Sequence, residues 1–597
     1  MRRRLIGVLV TCVVVLGACG QSSATPSDSV PSSALLPSMP SASGTAQSIS
    51  ITGSSYKAVP ATTTTGKVTL AESVYPTTVN PYYALNDTSM EVSDSMFDGL
   101  LTVTPDLKYA PDLALNVPTL DNGEVVLNGA GMDVNWKLRP GMKWSDGQPI
   151  NCDDIMTTWR WILDKDNSGL AEGTVGWQDV TGVDGGTGLD CVMHFSKIYE
   201  GYLTLVSPLL PAHYITTVPV KDAHTKLYPM NNLASGVYSG PYIPASATAN
   251  SQIVLKPNPN WSVIGGHAPW LTSVTWRYYG DSTTMITGFK NGEYDVGNGL
   301  TNLDIPSLSS IDPTQQIIGD SETYELLAFN NASFTARYAD DAANIITAIK
   351  LATDREAIAT GPLGGFVDVT NNFVSPQAWY YKSETGSTTA DPTTAYTILA
   401  NAGWVRGTDG YLAKNGKELA LDYCTTTREF RLASLNLMAQ QLKAIGIKVV
   451  VNTKPDSDVF GTWAQSTPTT TCNLRRGNFD VAEFTYRSSF DPLSGYRIRD
   501  SSQIPENTPA HDGENVSRIS LPALDAAYDT IAGTVNPAKI QSAMATIQDI
   551  YASDRNTYEL PLYFRKDVWL VNPKLHNFLG NPTFSAGEWN IGDWWVG

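Results

Sequence analysis

The sequence predicts a multi-lobed α/β fold in which a buried sheet is flanked by helices. Two observations carry this. First, the chain has 597 residues and is 42% hydrophobic, with 15 Trp, 27 Tyr and 15 Phe; at about 150 residues per domain that is enough for three or four packed lobes. Second, residues 430–445 carry apolar side chains at helical spacing, Gly446 reads as a stop, and 447–451 is a β-branched strand. A helix, a glycine and a buried strand in that order are the unit of a helix-covered sheet.

The other elements follow along the chain. Residues 67–70 read as a first strand, and 133–138 alternate like a half-buried one. Residues 153–163 read as a helix with Asn151 as its cap. Residues 253–256 and 273–276 are strand-like, and 342–352 read as a helix. No repeat of 20–50 residues is visible.

Charge removes one class of function. There are 58 acidic residues against 40 basic ones, a net charge of −18. Such a chain repels phosphate backbones, so nucleic acid is not an expected partner. Only one long apolar run exists, at the extreme N-terminus, which excludes a multi-span channel or transporter.

That N-terminus is an export signal. Arg2, Arg3 and Arg4 precede an apolar stretch of residues 5–16, too short for a comfortable membrane span. Leu16-Gly17-Ala18-Cys19 then resembles a bacterial lipobox. Residues 1–18 are expected to be removed, leaving Cys19 as the lipidated first residue. Residues 19–66 are rich in Ser, Thr, Ala and Pro, so a disordered tether is expected between lipid and body. The location implied is extracytoplasmic, on the cell membrane through a lipid alone.

Cysteine usage agrees with export. Cys12 leaves with the signal and Cys19 takes the lipid. Cys152, Cys191, Cys424 and Cys472 remain, an even set that allows three pairings. No Cys-x-x-Cys is present and the six histidines are scattered, so no metal site is expected. No cofactor is expected either.

A series of short motifs then runs in one order. It begins with Met96-Phe97-Asp98-Gly99-Leu100 and Ala110-Pro111-Asp112-Leu113-Ala114. Trp136-Lys137-Leu138-Arg139-Pro140-Gly141 follows, and then Trp144-Ser145-Asp146-Gly147-Gln148-Pro149-Ile150. It continues through Ser239-Gly240-Pro241-Tyr242, Asn258-Pro259-Asn260-Trp261, Asn291-Gly292-Glu293-Tyr294-Asp295 and Thr353-Asp354-Arg355-Glu356 to Phe479-Asp480-Val481-Ala482. Together these resemble the bacterial extracellular solute-binding proteins of family 5, the oligopeptide, dipeptide and nickel-type components of ABC importers. Most of the motifs read as structural: Asp146-Gly147 and Asn291-Gly292 as turns, Asp354-Arg355-Glu356 as a capped helix start.

The resemblance implies a two-lobed periplasmic-binding-protein-like fold (type II). Lobe I would comprise 67–101, 236–326 and 558–597, with 102–235 an inserted subdomain, and lobe II would span 327–557. Crossing segments near residues 327–330 and 558–559 would form the hinge, closing on solute held between the lobes. Each neighbouring cysteine pair falls within one implied lobe, which favours Cys152 with Cys191 and Cys424 with Cys472. The implied partners are a small solute, most of all an oligopeptide, and the permease subunits of an importer; a monomer is expected. An oligosaccharide, opine or metal chelate is the alternative solute, and a sensor or adhesion lipoprotein the alternative role.

Three loops are implied to touch the ligand. The first carries Tyr82, Tyr83 and Asn86, the second Trp379 and Tyr380, the third Tyr486, Arg487, Ser489, Phe490 and Asp491. Aromatic residues recur in all three, offering large contact area with little rotamer loss. Peptide-binding relatives usually place an Asp where Ser489 stands. Either Asp491 or Glu483 then receives the peptide ammonium, or the ligand has no free amine. Arg487 could take an acidic group.

Catalytic signatures are missing. No His-Glu-x-x-His, no Gly-x-Ser-x-Gly and no phosphate-binding loop occurs, so no enzyme is expected.

Overall fold

In the computed structural model, the described residues are 51–597 apart from 63–65, 85–86, 168–169, 171–173, 384–386, 489, 509–510, 554–557 and 584–586. The expected signal, Cys19 and most of the expected tether lie outside them.

A large sheet runs through the body. Its strands lie in the order Lys448–Lys454, Ala420–Thr426, Val481–Arg487, Gln316–Phe329, Glu559–Val571, Val296–Thr301, Lys67–Glu72, Ser273–Tyr278, Gln252–Pro257 and Tyr242–Thr248. Two of these, with 14 and 13 residues, are far longer than the rest. They pair antiparallel along their length, and each serves both halves of the molecule. Residues 323–329 of the first pair with Val481–Arg487, whereas residues 567–571 of the second pair with Val296–Thr301. Their mutual register shifts between Asp320 and Tyr324. The change of partner therefore falls upstream of the expected crossing at 327–330, because residues 324–329 already belong to the second half's ladder.

In the second half the sheet is buried on both faces, as a helix-covered sheet requires. Leu327 and Phe329 join Leu421, Tyr423, Val481 and Leu562 on one face, beneath helices Ala342–Ala352 and Glu429–Ala444. Leu326 and Ala328 join Cys424, Ala482, Phe484 and Phe564 on the other, beneath helices Pro522–Ala532 and Pro537–Ala552. Alternation with period two sends successive residues to opposite cores. Gly446, with φ +88°, ends helix Glu429–Ala444, where the backbone N–H groups of Gly446 and Ile447 donate to Lys443 and Leu442.

Residues 102–235 hold a separate four-stranded antiparallel sheet, ordered Val125–Asn128, Gly131–Lys137, Asp190–Phe195, Val180–Asp184. Its Val134, Trp136 and Met193 share one core with Val68, Leu70 and Trp276 of the large sheet. Helix Cys152–Ile162 is closed by a capping box between Asn151 and Asp154, one residue from the expected start. Asp146-Gly147 forms the expected turn: Gly147 N–H donates to Trp144 O and Trp144 N–H to Gln148 O. Asp354 caps helix Arg355–Thr360 by accepting from Ala357 N–H. Arg355 is buried instead of solvated, donating to the carbonyls of Thr370, Pro561 and Ser387.

Disulfides join Cys152 to Cys191 and Cys424 to Cys472, with Cα–Cα distances of 5.3 and 5.0 Å.

The expected tether is shorter than residues 19–66. Ile51 O accepts from Tyr109 N–H, and Ser54 and Ser55 hydrogen-bond Asp106. The Tyr56 hydroxyl donates to Asp593 at 2.7 Å, and its ring meets Trp589 edge-on. Val59 exchanges two hydrogen bonds with the Asn577 side chain. Ile51, Tyr56 and Val59 supply apolar and aromatic surface that the Ser/Thr-rich average of the segment conceals.

Leu326 is fully buried against the second-half core. Leu326→Ala is expected to destabilise that half by about 2–5 kcal/mol. The urea midpoint followed by circular dichroism checks this, and an unchanged midpoint would contradict a two-faced core.

Candidate ligand-binding site

The loop after strand Val481–Arg487 is pinned from several sides. Ser488 N–H donates to Glu322 O at 2.6 Å, and Ser488 Oγ accepts from Ser375 N–H at 2.8 Å. Asp491 caps the short helix Pro492–Gly495 by accepting from Leu493 N–H at 2.8 Å. Phe490, only 1% exposed, meets the ring of Tyr109 edge-on at 4.8 Å. This contact joins the second half to the 102–235 region.

Beside it lies a small pocket of about 20 Å³. Tyr109, Glu200 and Tyr202 form one wall, and Trp379, Phe490 and Ile540 the other. Ile51 of the ordered N-terminal segment also reaches it.

Glu200 is the charged residue among those lining the pocket. The Glu200 side chain hydrogen-bonds that of Asp491, which stands beside the pocket. Burial pushes Glu200 well above the usual carboxyl range, reinforced by Asp491, and burial raises Asp491 too. Glu322, 4% exposed behind the loop, is raised to about 8 by burial, with the Arg487 charge opposing. Of these carboxyl groups Glu200 lines the pocket, while Asp491 and Glu322 lie beside it, bonded to Glu200 and to the Phe490 backbone. An uncompensated buried negative charge is costly, so the arrangement favours a positive guest.

The expected contact residues divide. Trp379 and Phe490 line the pocket. Asp491 adjoins it through Glu200. Tyr380 is 3% exposed and stands behind Trp379, with ring centroids 5.5 Å apart. The Tyr486 hydroxyl donates to Glu514 O at 2.9 Å, and Arg487 acts on Glu322. Tyr82 and Tyr83 sit away from the pocket: their hydroxyls donate to Pro208 O and to Asn167 Oδ1, both at 2.7 Å, and both rings pack on Trp161. Asn86 and Ser489 lie outside the described residues.

Glu483 belongs to a different cluster. It is fully buried and accepts from the Tyr423 hydroxyl at 3.0 Å. Nearby, Arg431 and Arg565 donate to the two oxygens of Glu325 at 2.6 and 2.9 Å. Burial, then the Glu325 charge, holds the Glu483 carboxyl well above its usual range. Of the two acids expected to receive an ammonium, Asp491 is the one that adjoins the pocket, through Glu200. Sequence reading missed Tyr109, Glu200 and Tyr202. Tyr109 directly precedes the Ala110-Pro111-Asp112 motif, the one signal that pointed near them.

Together, fold and pocket define a two-lobed α/β solute receptor of the periplasmic-binding-protein type. Residues 109–503 match the family described as bacterial extracellular solute-binding proteins, family 5 Middle, and the chain belongs to that family. It is 24% identical over 384 residues to the oligopeptide-binding protein AppA of Bacillus subtilis, a match spanning 63% of this chain and 66% of AppA. It is 27% identical over 462 residues to the oligopeptide-binding protein OppA of Mycobacterium tuberculosis, 74% of this chain and 71% of OppA. The structure of AppA in complex with a nonapeptide superposes with a TM-score of 0.67 at 21% identity, over 90% of this chain and 100% of AppA. The periplasmic EDTA-binding protein EppA gives 0.73 at 20% identity, over 93% of this chain and 99% of EppA. Among the described residues no helix is long and apolar enough to cross a membrane.

Arg431 is 2% exposed and balances Glu325. Arg431→Met leaves Glu325 and Glu483 with less compensating charge and is expected to destabilise by about 3–5 kcal/mol. A thermal melt checks it; an unchanged Tm would contradict an ionised network.

Proposed function

We propose that the chain is the lipid-anchored solute receptor of an ABC importer, and that it captures oligopeptides through their ammonium group. Lipidation at Cys19 holds it outside the membrane, a peptide enters between the lobes, and the permease receives it unchanged. One observation supports the peptide reading most: Glu200 lines an aromatic pocket with Asp491 and Glu322 beside it, and among the described residues Arg487 is the cation that acts on Glu322. An ammonium satisfies such a site by charge and by cation–π contact. The likeness to oligopeptide-binding relatives supports the same class.

A chelate reading draws on the likeness to EppA. A metal–EDTA complex is anionic, and the acidic pocket opposes it. The peptide reading is therefore preferred.

Native mass spectrometry of the full-length protein released from gentle detergent is expected to show retained peptide of unchanged mass. In titration calorimetry, peptides with a free N-terminus are expected to bind at least about tenfold more tightly than their N-acetylated forms. Trp379→Ala is expected to weaken peptide binding by about 2 kcal/mol, roughly thirtyfold. If sugars or metal–EDTA bind while free and acetylated peptides do not, the peptide reading is wrong.

A further inference from the structure

Glu200 opens the short helix Glu200–Leu203 in the 102–235 region, and Asp491 stands at the cap of Pro492–Gly495 in the other half. Their side chains nevertheless share a hydrogen bond. Ionised carboxylates only accept, so this bond exists only with a proton on one of the two. The second oxygen of Glu200, Oε2, is buried with no partner among the described residues. The titratable groups around the pair are Tyr109, Tyr199 and Tyr202 from the Glu200 side and Tyr380 from the Asp491 side. Asp179 acts on Tyr199, and Glu322 on Tyr380. Arg487 works on Glu322, and Arg499 is held by Glu559 and Tyr324. Burial and their mutual hydrogen bond are what act most on the pair among the described residues.

We propose that Glu200 and Asp491 together form a seat for one positive charge spanning the cleft, filled by a proton when the empty protein closes and by an ammonium group when a guest is held. The ammonium half rests on the solute-receptor reading; the proton half does not. The sign follows from burial. In an open, wet cleft each carboxyl would ionise near its ordinary value, whereas in this structure, where the two regions meet, both are raised. Closure therefore takes up a proton. It is favoured at low pH and lost as pH rises through the raised values, where two facing carboxylates repel. A primary ammonium, with three donors, replaces the proton at higher pH. A quaternary ammonium has no N–H and cannot.

Nitroxide labels at Val126→Cys and Val451→Cys, two exposed positions in the two halves, report the lobe separation by electron–electron resonance. The full-length protein is used in detergent with no solute added, so failure here is distinct from failure of the peptide reading. The closed fraction is expected to rise roughly threefold from about pH 8 to about pH 5. At the higher pH, ethylammonium is expected to restore closure and tetramethylammonium is not. Glu200→Gln keeps a donor towards Asp491 and is expected to stay closed at both pH values. Asp491→Asn keeps the cap on Leu493 and is expected to lose the same pH response. A closed fraction in the unsubstituted pair that ignores both acid and ethylammonium overturns the proposal, as does an unaltered pH response in both variants.

Discussion

The pairing of Gln316–Phe329 with Glu559–Val571 is the constraint on which the rest depends. These are the two long strands through which the halves share one sheet. A ladder of backbone hydrogen bonds resists slippage, since a one-residue slip would turn every core side chain to the wrong face. It resists bending much less, most of all where its register already shifts, between Asp320 and Tyr324. The halves can therefore swing while their cores stay intact. Glu322 sits in this shift, behind the ligand pocket, and Glu325 stands at a second shift before Leu326, in the Arg431–Arg565 network.

Burial of charge follows from that layout. The crossing strands carry Glu325, Glu559 and Arg565, and residues from the second half complete each pair: Arg431 with Glu325, Arg499 with Glu559. Replacing such pairs by apolar residues is often neutral for stability, so their value lies in orientation. Each fixes how a helix or loop of the second half meets the shared strands. The pocket acids differ in kind. Glu200 and Asp491 hydrogen-bond each other across two regions of the chain, whereas the structural ion pairs join the second half to the shared strands.

Much of the fold was legible in the sequence. Helix Ala342–Ala352 is found at its expected bounds, and the helix–Gly446–strand unit differs by one residue at each boundary except the strand's end, which runs three residues further, because period, cap and glycine stop all act locally. The two-lobed architecture was legible through motifs that proved structural, such as the Asp146-Gly147 turn and the Asp354 cap. The N-terminal boundary was less so: a compositional average over residues 19–66 hides Ile51, which meets Tyr109, and Tyr56 and Val59, whose partners Asp593 and Asn577 lie 537 and 518 residues away.

The site was legible only where one loop carries it. Trp379, Phe490 and Asp491 stand near a recognisable strand or proline, and the structure brings them to or beside the pocket. Tyr82 and Tyr83 share their aromatic character but spend their hydroxyls on Pro208 and Asn167, a use no local pattern reveals. Tyr109, Glu200 and Tyr202 come from the inserted region and become a wall only once the halves meet. A residue that functions through lobe closure has no signature in its own neighbourhood, since its partner is supplied by a different core. The acid at position 200 shows this most plainly. Read alone, it is one of 58 acidic residues in a chain of net charge −18, indistinguishable from a solvated surface group. Set against Asp491 and stripped of water, it becomes the group whose charge state and the lobe separation must change together.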